Sequence, residues 1–562
     1  MNESDISEDG INVPAGIKRR RIMSSSSESS DGNFDYDTEL SDIENRDGEE
    51  VDQVGPSNSI VSKEWLPQNA ERPPFPFTAH PGKTFDTPPK ILPLFYLEKF
   101  LDEELTKLIT KQTNLYAAQF FDNDPELKPR SRIRKWKDTN EAEMKTFLGL
   151  LILQGIIGNP ALEIYFSRRR IIETPFFYET ISESRFGLLC KFLHFADNLS
   201  FDPNTSNKKT YRIDPIINNL SKKFKNFYVC EREICVDESL LLWKGNLSWK
   251  QYISTKRARF GMKLFILSES QSGYVQNIIL YTGKGTNYGS NYPQEKQSTR
   301  IVLELTHDLL NKGYRIYLDN FYTSIHLAEL LCQNNTDIVG TMKINRVGIP
   351  SEIKTKELQK NEHIVRFKDK LMVLKWKDKK DVLMLSSIHN DEKTMIEKKG
   401  RRQEKPNVVL DYNKNMGGVD LGDGVMVAYT VARNRLKKFY KKMFLRLIDM
   451  CCFNAYIIYK KDKGHLDRLH FLIECVEKLV DNNIVKAQPK TSTSSSTQKP
   501  SRLVERHFPE QMKTDTGKTK SKKCRVCYKK GVRKESTYWC PDCKVALCIN
   551  NCFKIYHTEI EF

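Results

Sequence analysis

Apolar residues recur at helical spacing from Leu92 to Asn114, with Phe95, Leu97, Phe100, Leu101, Leu105 and Leu108 on the periodic positions. Glu141 to Leu153 and Ser182 to Phe195 follow the same period, and Ser182 is placed to cap the second of these. Residues of about 90–230 therefore read as mainly helical and basic. Near Ile234 the pattern changes. Ile234–Val236, Lys263–Leu267 and Val275–Tyr281 are short apolar runs with turn residues between them, which predicts three strands joined as hairpins. A helix from Thr299 to Asn311 follows and ends at Gly313. Then come a strand at Tyr314–Leu318, a helix at Thr323–Cys332 and a strand near Asp337–Met342.

Three strands, helix, strand, helix, strand is the order expected of a ribonuclease-H-like mixed sheet covered by helices. Residues of about 345–404 hold more polar strands, clearest at Val365–Phe367 and Val382–Leu385, and read as an insertion. Gly417-Gly418 precede a helical stretch, and 433–483 is helical again, with Phe444, Leu445, Leu447, Ile448 and Cys451 on one face. The Lys/Ser/Thr-rich stretch of about 486–523 reads as a flexible basic linker. Residues 1–62 are rich in Ser, Asp, Glu and Asn and are expected to be disordered.

Charge adds a partner class. The 562 residues hold 90 Lys/Arg against 72 Asp/Glu, a net +18. Residues 1–60 alone carry −10, so the rest carries +28. A body this basic suits nucleic acid, or else a solvated basic surface. Lys18-Arg19-Arg20-Arg21 fits either a nuclear import signal or a solvated charge cluster, and Ser24–Ser30 could accept phosphates. The longest apolar run, Phe147–Ile157, is too short to span a bilayer, and no secretory leader is read at the N-terminus. A nuclear, non-membrane protein is the expectation.

Two acids follow strands: Asp237 after Ile234–Val236, and Asp319 after Ile316–Leu318. If those strands are neighbours, both carboxylates emerge at one edge of the sheet. Asp420, in Met416-Gly417-Gly418-Val419-Asp420, opens a helix. Three converging carboxylates can hold two divalent cations ~3.5–4 Å apart, as phosphoryl transfer requires. Mg²⁺ suits such a site, with Mn²⁺ as a substitute. Each acid taken alone is more simply a turn or cap residue.

Six of the thirteen cysteines fall between Cys524 and Cys552. The run is Cys524-x₂-Cys527, twelve residues, Cys540-x₂-Cys543, four residues, Cys548, three residues, Cys552, four residues, His557. Two Cys-x₂-Cys pairs are zinc-ligand spacing, and seven ligands exceed one tetrahedral site, so two interleaved Zn²⁺ ions are expected. His507 is the nearest eighth donor outside the cluster, or else an exposed linker histidine. Lys522, Lys523, Lys529, Lys530, Arg533 and Lys534 around the ligands suggest a grip on DNA.

Over residues 90–562 the chain resembles the piggyBac family of DDE transposases. The segments that carry the resemblance are Val236-Asp237-Glu238-Ser239, Lys256-Arg257-Ala258-Arg259-Phe260-Gly261, Leu318-Asp319-Asn320-Phe321-Tyr322-Thr323-Ser324, Tyr412-Asn413 through Asp420, and the terminal Cys module. The resemblance implies that Asp237, Asp319 and Asp420 are the catalytic triad and hold Mg²⁺, with Asp423 a nearby acid that also matters. It implies cut-and-paste transposition at TTAA sites through hairpin intermediates on double-stranded DNA, by a homodimer. Asn246, Ser254, Gly424 and Phe439 depart from the family pattern, and none is a metal ligand. The alternative is a domesticated relative that binds DNA or chromatin without transposing.

The expected layout is multidomain α/β. An acidic tail occupies 1–88, and a helical DNA-binding and dimerisation domain is split between 89–232 and 430–485. The ribonuclease-H-like catalytic domain is split between 233–344 and 405–429 around an insertion at 345–404. A basic linker follows at 486–519 and a zinc-binding module at 520–562.

Overall fold

A computed structural model of the protein describes residues 64–68, 72–123, 131–204, 208–254, 256, 258–398, 401–432, 436–483, 507–514 and 517–559. Of the tail read over 1–88, residues 1–63 and 69–71, with Lys18–Arg21 and Ser24–Ser30, lie outside these residues, as do Arg257 and most of the linker. The last part of that tail is instead folded onto the first unit, with Leu66 bridged to Phe367 and Gly82–Lys83 paired with Tyr228–Val229. Two compact units divide the chain, Met1–Val485 and Lys486–Phe562.

In the first unit the run read as one helix from Leu92 is two, Pro93–Phe100 (α1) and Glu103–Asn123 (α2). Asp102 causes the break. Its Oδ1 accepts the Leu105 N–H at 2.9 Å and the Lys223 ammonium at 2.6 Å, so it caps α2 instead of continuing α1. Glu141–Ile157 (α3) is capped by the Asn140 side chain and ended by Gly158 at φ +77°. Ser182 accepts from Arg185 N at the start of Glu183–Phe192 (α4). Asp214–Phe227 (α5) then leads to the sheet.

The main sheet has nine strands. They are Glu233–Leu242 (β1), Gln251–Tyr252 (β2), Phe260–Glu269 (β3), Val275–Leu280 (β4), Arg315–Leu318 (β5), Asp337–Thr341 (β6), His363–Lys368 (β7), Leu371–Lys377 (β8) and Asp381–Ser386 (β9). The order is β2-β3-β1-β5-β6-β9-β8-β7, with β4 also on β3. β1, β5 and β6 run parallel, and every other pairing is antiparallel. Gln297–Thr306 (α6) and Ile325–Gln333 (α7) make the crossovers.

The segment read as an insertion divides in two. Its apolar strands β7 to β9 extend the main sheet, because β9 pairs with the otherwise open edge of β6. Only Lys393–Lys398 (β10) and Arg401–Pro406 (β11), too polar to bury, form a two-stranded sheet of their own.

Asn407–Asn415 (α8) and Gly418–Ala428 (α9) return the chain to the sheet. Phe439–Lys461 (α10) is buried from Tyr440 almost continuously to Tyr459. Arg468–Asp481 (α11) packs on α3, where a Cβ on Gly149 would stand 3.0 Å from Val480 Cγ2. α1 packs against both α10 and α11, so helices from the two sides of the sheet sequence share one core. Among the described residues no helix is long and apolar enough to cross a membrane.

Candidate functional site

Parallel pairing of β1 with β5 sets Val236 opposite Leu318. Asp319 is the first residue past β5, but Asp237, read from sequence as following its strand, lies inside β1, because Asp237–Leu242 stay paired with β3 after the apolar run ends. The two acids stand together where the β1–β5 pairing stops. Asp237 is only 1% exposed, and its Oδ1 accepts the Glu238 N–H at 2.8 Å. Asp319 sits in a turn: its Oδ1 accepts Phe321 N–H at 2.9 Å, and its carbonyl accepts Thr323 N–H at 3.1 Å and the Thr323 hydroxyl at 2.8 Å. Carboxylate oxygens of Asp237, Glu238 and Asp319 lie within 4.8 Å of one another. An all-oxygen donor set suits a hard divalent cation. Glu238, next to Asp237 on β1, is a third acid of the cluster that the sequence reading does not single out.

α9 reaches the sheet through glycine. A Cβ on Gly418 would lie 2.7 Å from Glu269 O and 2.8 Å from Cys235 Sγ. Gly273, at φ +76°, meets the same helix from the β3–β4 turn, where a Cβ would stand 3.0 Å from Gly418 O. This close seat brings Asp420 to the site, but its Oδ1 pairs with Lys256 Nζ at 2.9 Å and it stands outside the acid cluster. Burial works against the Lys256 charge, yet the Asp237 and Asp420 carboxylates outweigh it and hold the ammonium above its usual pKa. Asp423 does something else. It accepts from the Ser239 hydroxyl at 2.9 Å and from the buried Arg446 guanidinium, tying α9 to β1 and α10. Of the four acids read from sequence, two meet at the cluster, one is paired with Lys256, whose charge Asp237 also favours, and one is held in a separate ion pair.

In the second unit the Cys/His residues sort into two groups. Cys524, Cys527, Cys548 and Cys552 form one, and His507, Cys540, Cys543 and His557 the other. A tetrahedral zinc with ~2.3 Å Zn–S bonds needs S···S distances of about 3.8 Å. Cys527 Sγ lies 3.5 Å from Cys552 Sγ and 4.0 Å from Cys548 Sγ. For mixed N and S ligands the expected separation is about 3.6 Å. His507 Nδ1 is 3.5 Å from Cys540 Sγ and 3.6 Å from Cys543 Sγ, and His557 Nε2 is 3.6 Å from Cys543 Sγ. His557 Nδ1 lies 2.8 Å from Phe553 O, a contact that leaves Nε2 for a metal. Both groups fit zinc, and His507 joins the second as its fourth donor.

Known proteins are similar to this chain in sequence and fold. The family described as Transposase IS4 matches residues 93–456, and a DDE_Tnp_1-like zinc finger matches residues 506–558. The human PiggyBac transposable element-derived protein 3 is 28% identical over 482 residues, covering 83% of this chain and 76% of its own length. The human PiggyBac transposable element-derived protein 2 is 24% identical over 390 residues, covering 66% of this chain; the chain spans 62% of that relative. A cryo-EM structure titled as a piggyBac transposase synaptic complex with hairpin DNA has the same fold, with a TM-score of 0.63 at 22% identity. The match covers 84% of this chain and all of that one. With a family match running from α1 into α10 and a zinc finger of the same lineage behind it, the chain belongs to the piggyBac family of transposases.

Proposed function

We propose that the protein is a DNA transposase that cuts and joins strands at TTAA sites through hairpin intermediates. The observation that carries this is the β1–β5 register, which sets Asp237 and Asp319 at the same end of that parallel pairing; a ribonuclease-H-like catalytic domain is part of the reading. Asp237, Asp319 and Asp420 act as the metal-holding triad, with Glu238 beside them. Bound Mg²⁺ or Mn²⁺ would activate the attacking water or 3′-hydroxyl and steady the leaving oxygen. The chain's own part is placement: the β1–β5 pairing fixes two carboxylates, the Gly418 seat fixes α9, and the Asp423–Arg446 pair holds that helix in register. Asp423 is thus a positioning residue in this reading.

DNA is the partner, bound by the basic helical segments as a homodimer in the nucleus, with the zinc module gripping the transposon end. The test is excision and strand transfer by the purified full-length protein on TTAA-flanked ends, with Asp237→Asn and Asp319→Asn beside it. Loss of at least ~100-fold in cleavage with binding retained is the expected result. Undiminished nicking in both variants would sink the assignment.

The names of the curated relatives, transposable element-derived proteins, favour a second reading: a domesticated DNA-binding protein that no longer transposes. Metal-independent TTAA-end binding without any nicking would support it.

A further inference from the structure

Tyr252 on β2 stands opposite Phe260 on β3. Their ring centroids are 4.7 Å apart at 42°, and each residue is 48% exposed. Paired aromatics of this size are ordinarily covered. Lys250 Nζ lies over the Phe260 ring, 5.9 Å from its centroid. The chain between the two rings is closed by Ile253 N–H to Arg259 O at 2.8 Å, with Arg259 at φ +46°. That loop carries Lys256, whose ammonium reaches Asp420. The rings are therefore tied to the carboxylates by a short, hydrogen-bonded loop. Phe260 O accepts the N–H of Trp243 at 3.2 Å, the residue just past β1 and six positions from Asp237. At ~3.3 Å per strand residue the separation is about 20 Å, the length of about six stacked nucleotides at 3.4 Å each.

An exposed aromatic pair with cations beside it has the chemistry of a base-stacking platform, since every base has a π-face and the cations meet the phosphates. A protein partner would be favoured by a broader apolar patch with fewer cations. We propose that Tyr252 and Phe260 stack an unpaired nucleobase of the DNA strand whose phosphate lies at Asp237 and Asp319. This rests on the DNA-processing reading above and adds to it where the strand is unpaired.

The full-length protein is titrated with single-stranded and fully paired oligonucleotides carrying 2-aminopurine, and quenching and anisotropy are read together. The double variant Tyr252→Leu/Phe260→Leu keeps apolar bulk. It is expected to lose ~10-fold or more in affinity for the single strand, and the quenching with it, while duplex affinity stays within ~2-fold. Phe260→Tyr keeps a ring and should keep the quenching. Unchanged quenching in the double variant overturns the platform, and so does an equal loss on both DNAs. Asp237→Asn separates the two proposals: cleavage surviving it sinks the catalytic reading, whereas quenching is expected to persist in that variant.

Discussion

Lys256 Nζ lies 2.9 Å from Asp420 Oδ1, so the acid read as a third metal ligand already holds a cation, one supplied by the chain itself. A single positive charge here neutralises part of a site that two divalent ions would fill. The ammonium and a divalent ion compete for the same oxygen, and like charges a few ångströms apart repel by several kcal/mol at an effective dielectric of ~20.

Lys256→Met should therefore tighten Mn²⁺ binding, by roughly tenfold on that electrostatic argument. Titration followed by the loss of free-ion Mn²⁺ electron spin resonance reads this directly, without any turnover. Equal affinity in the variant and the parent would show that Lys256 does not share the metal's place.

Gly418→Ala should lower stability by ~1–3 kcal/mol, because its Cβ meets a backbone carbonyl that cannot swing away. Since α9 must lift from β1 and β3 to relieve the clash, Asp420 moves with it. Chemical denaturation should show the lower midpoint, and strand cleavage should fall further than stability alone explains. A variant as stable and as active as the parent would contradict the close seat.

Two histidines, His194 buried and His389 half-buried, predict the acid limb of stability. Burial pushes His194, under stacked Tyr116 and bonded to Tyr440, down to about 4, and does the same to His389 beside Asp411. An unfolded histidine takes its proton near ~6.5. Between these values the unfolded chain binds more protons, so stability present above pH ~6.5 is lost as pH falls and is fully lost below about 4. Each histidine contributes on the order of 1–3 kcal/mol. His194→Gln should flatten the slope of denaturation midpoint against pH between 6.5 and 5; an unaltered slope would remove His194 from the account.

Zinc content should be about two per chain, and the two centres should differ in spectrum. Cobalt substitution is expected to give a four-thiolate band from the Cys524 group and a weaker, blue-shifted one from the His507 group. His507→Ala should remove only the second. Loss of both, or of neither, would refute the grouping.

Much of this architecture was legible because it is written in local pattern. The strand end at Leu318 follows from its apolar run, and the Cys-x₂-Cys spacing announces metal, whereas β1 runs six residues past the apolar Ile234–Val236 because β3 pairs with it there. The pairing of Cys524–Cys527 with Cys548 and Cys552, across the intervening Cys540–Cys543, is a tertiary fact that spacing does not encode. Three features were missed for identifiable reasons. Asp102 reads as one more polar position on a helix, yet it caps. The strands from His363 to Ser386 look like a separate insertion until the open edge of β6 is known. Lys256 looks like one cation among many in a basic loop, and nothing within ten residues of it reveals Asp420, 164 positions later.

The deep burial of α10 bears on how the protein is made. α1 and α3 leave the ribosome hundreds of residues before α10 and α11, the helices that cover them. Until residue 481 has emerged, their apolar faces lack a partner, and the acids proposed to cut have no braced helix beside them. Synthesis thus acts as a safety interval: a chain stalled or truncated before Phe439 should be insoluble and unable to nick DNA. Soluble, cutting-competent protein from such a truncation would show that the sheet stands without its late helices.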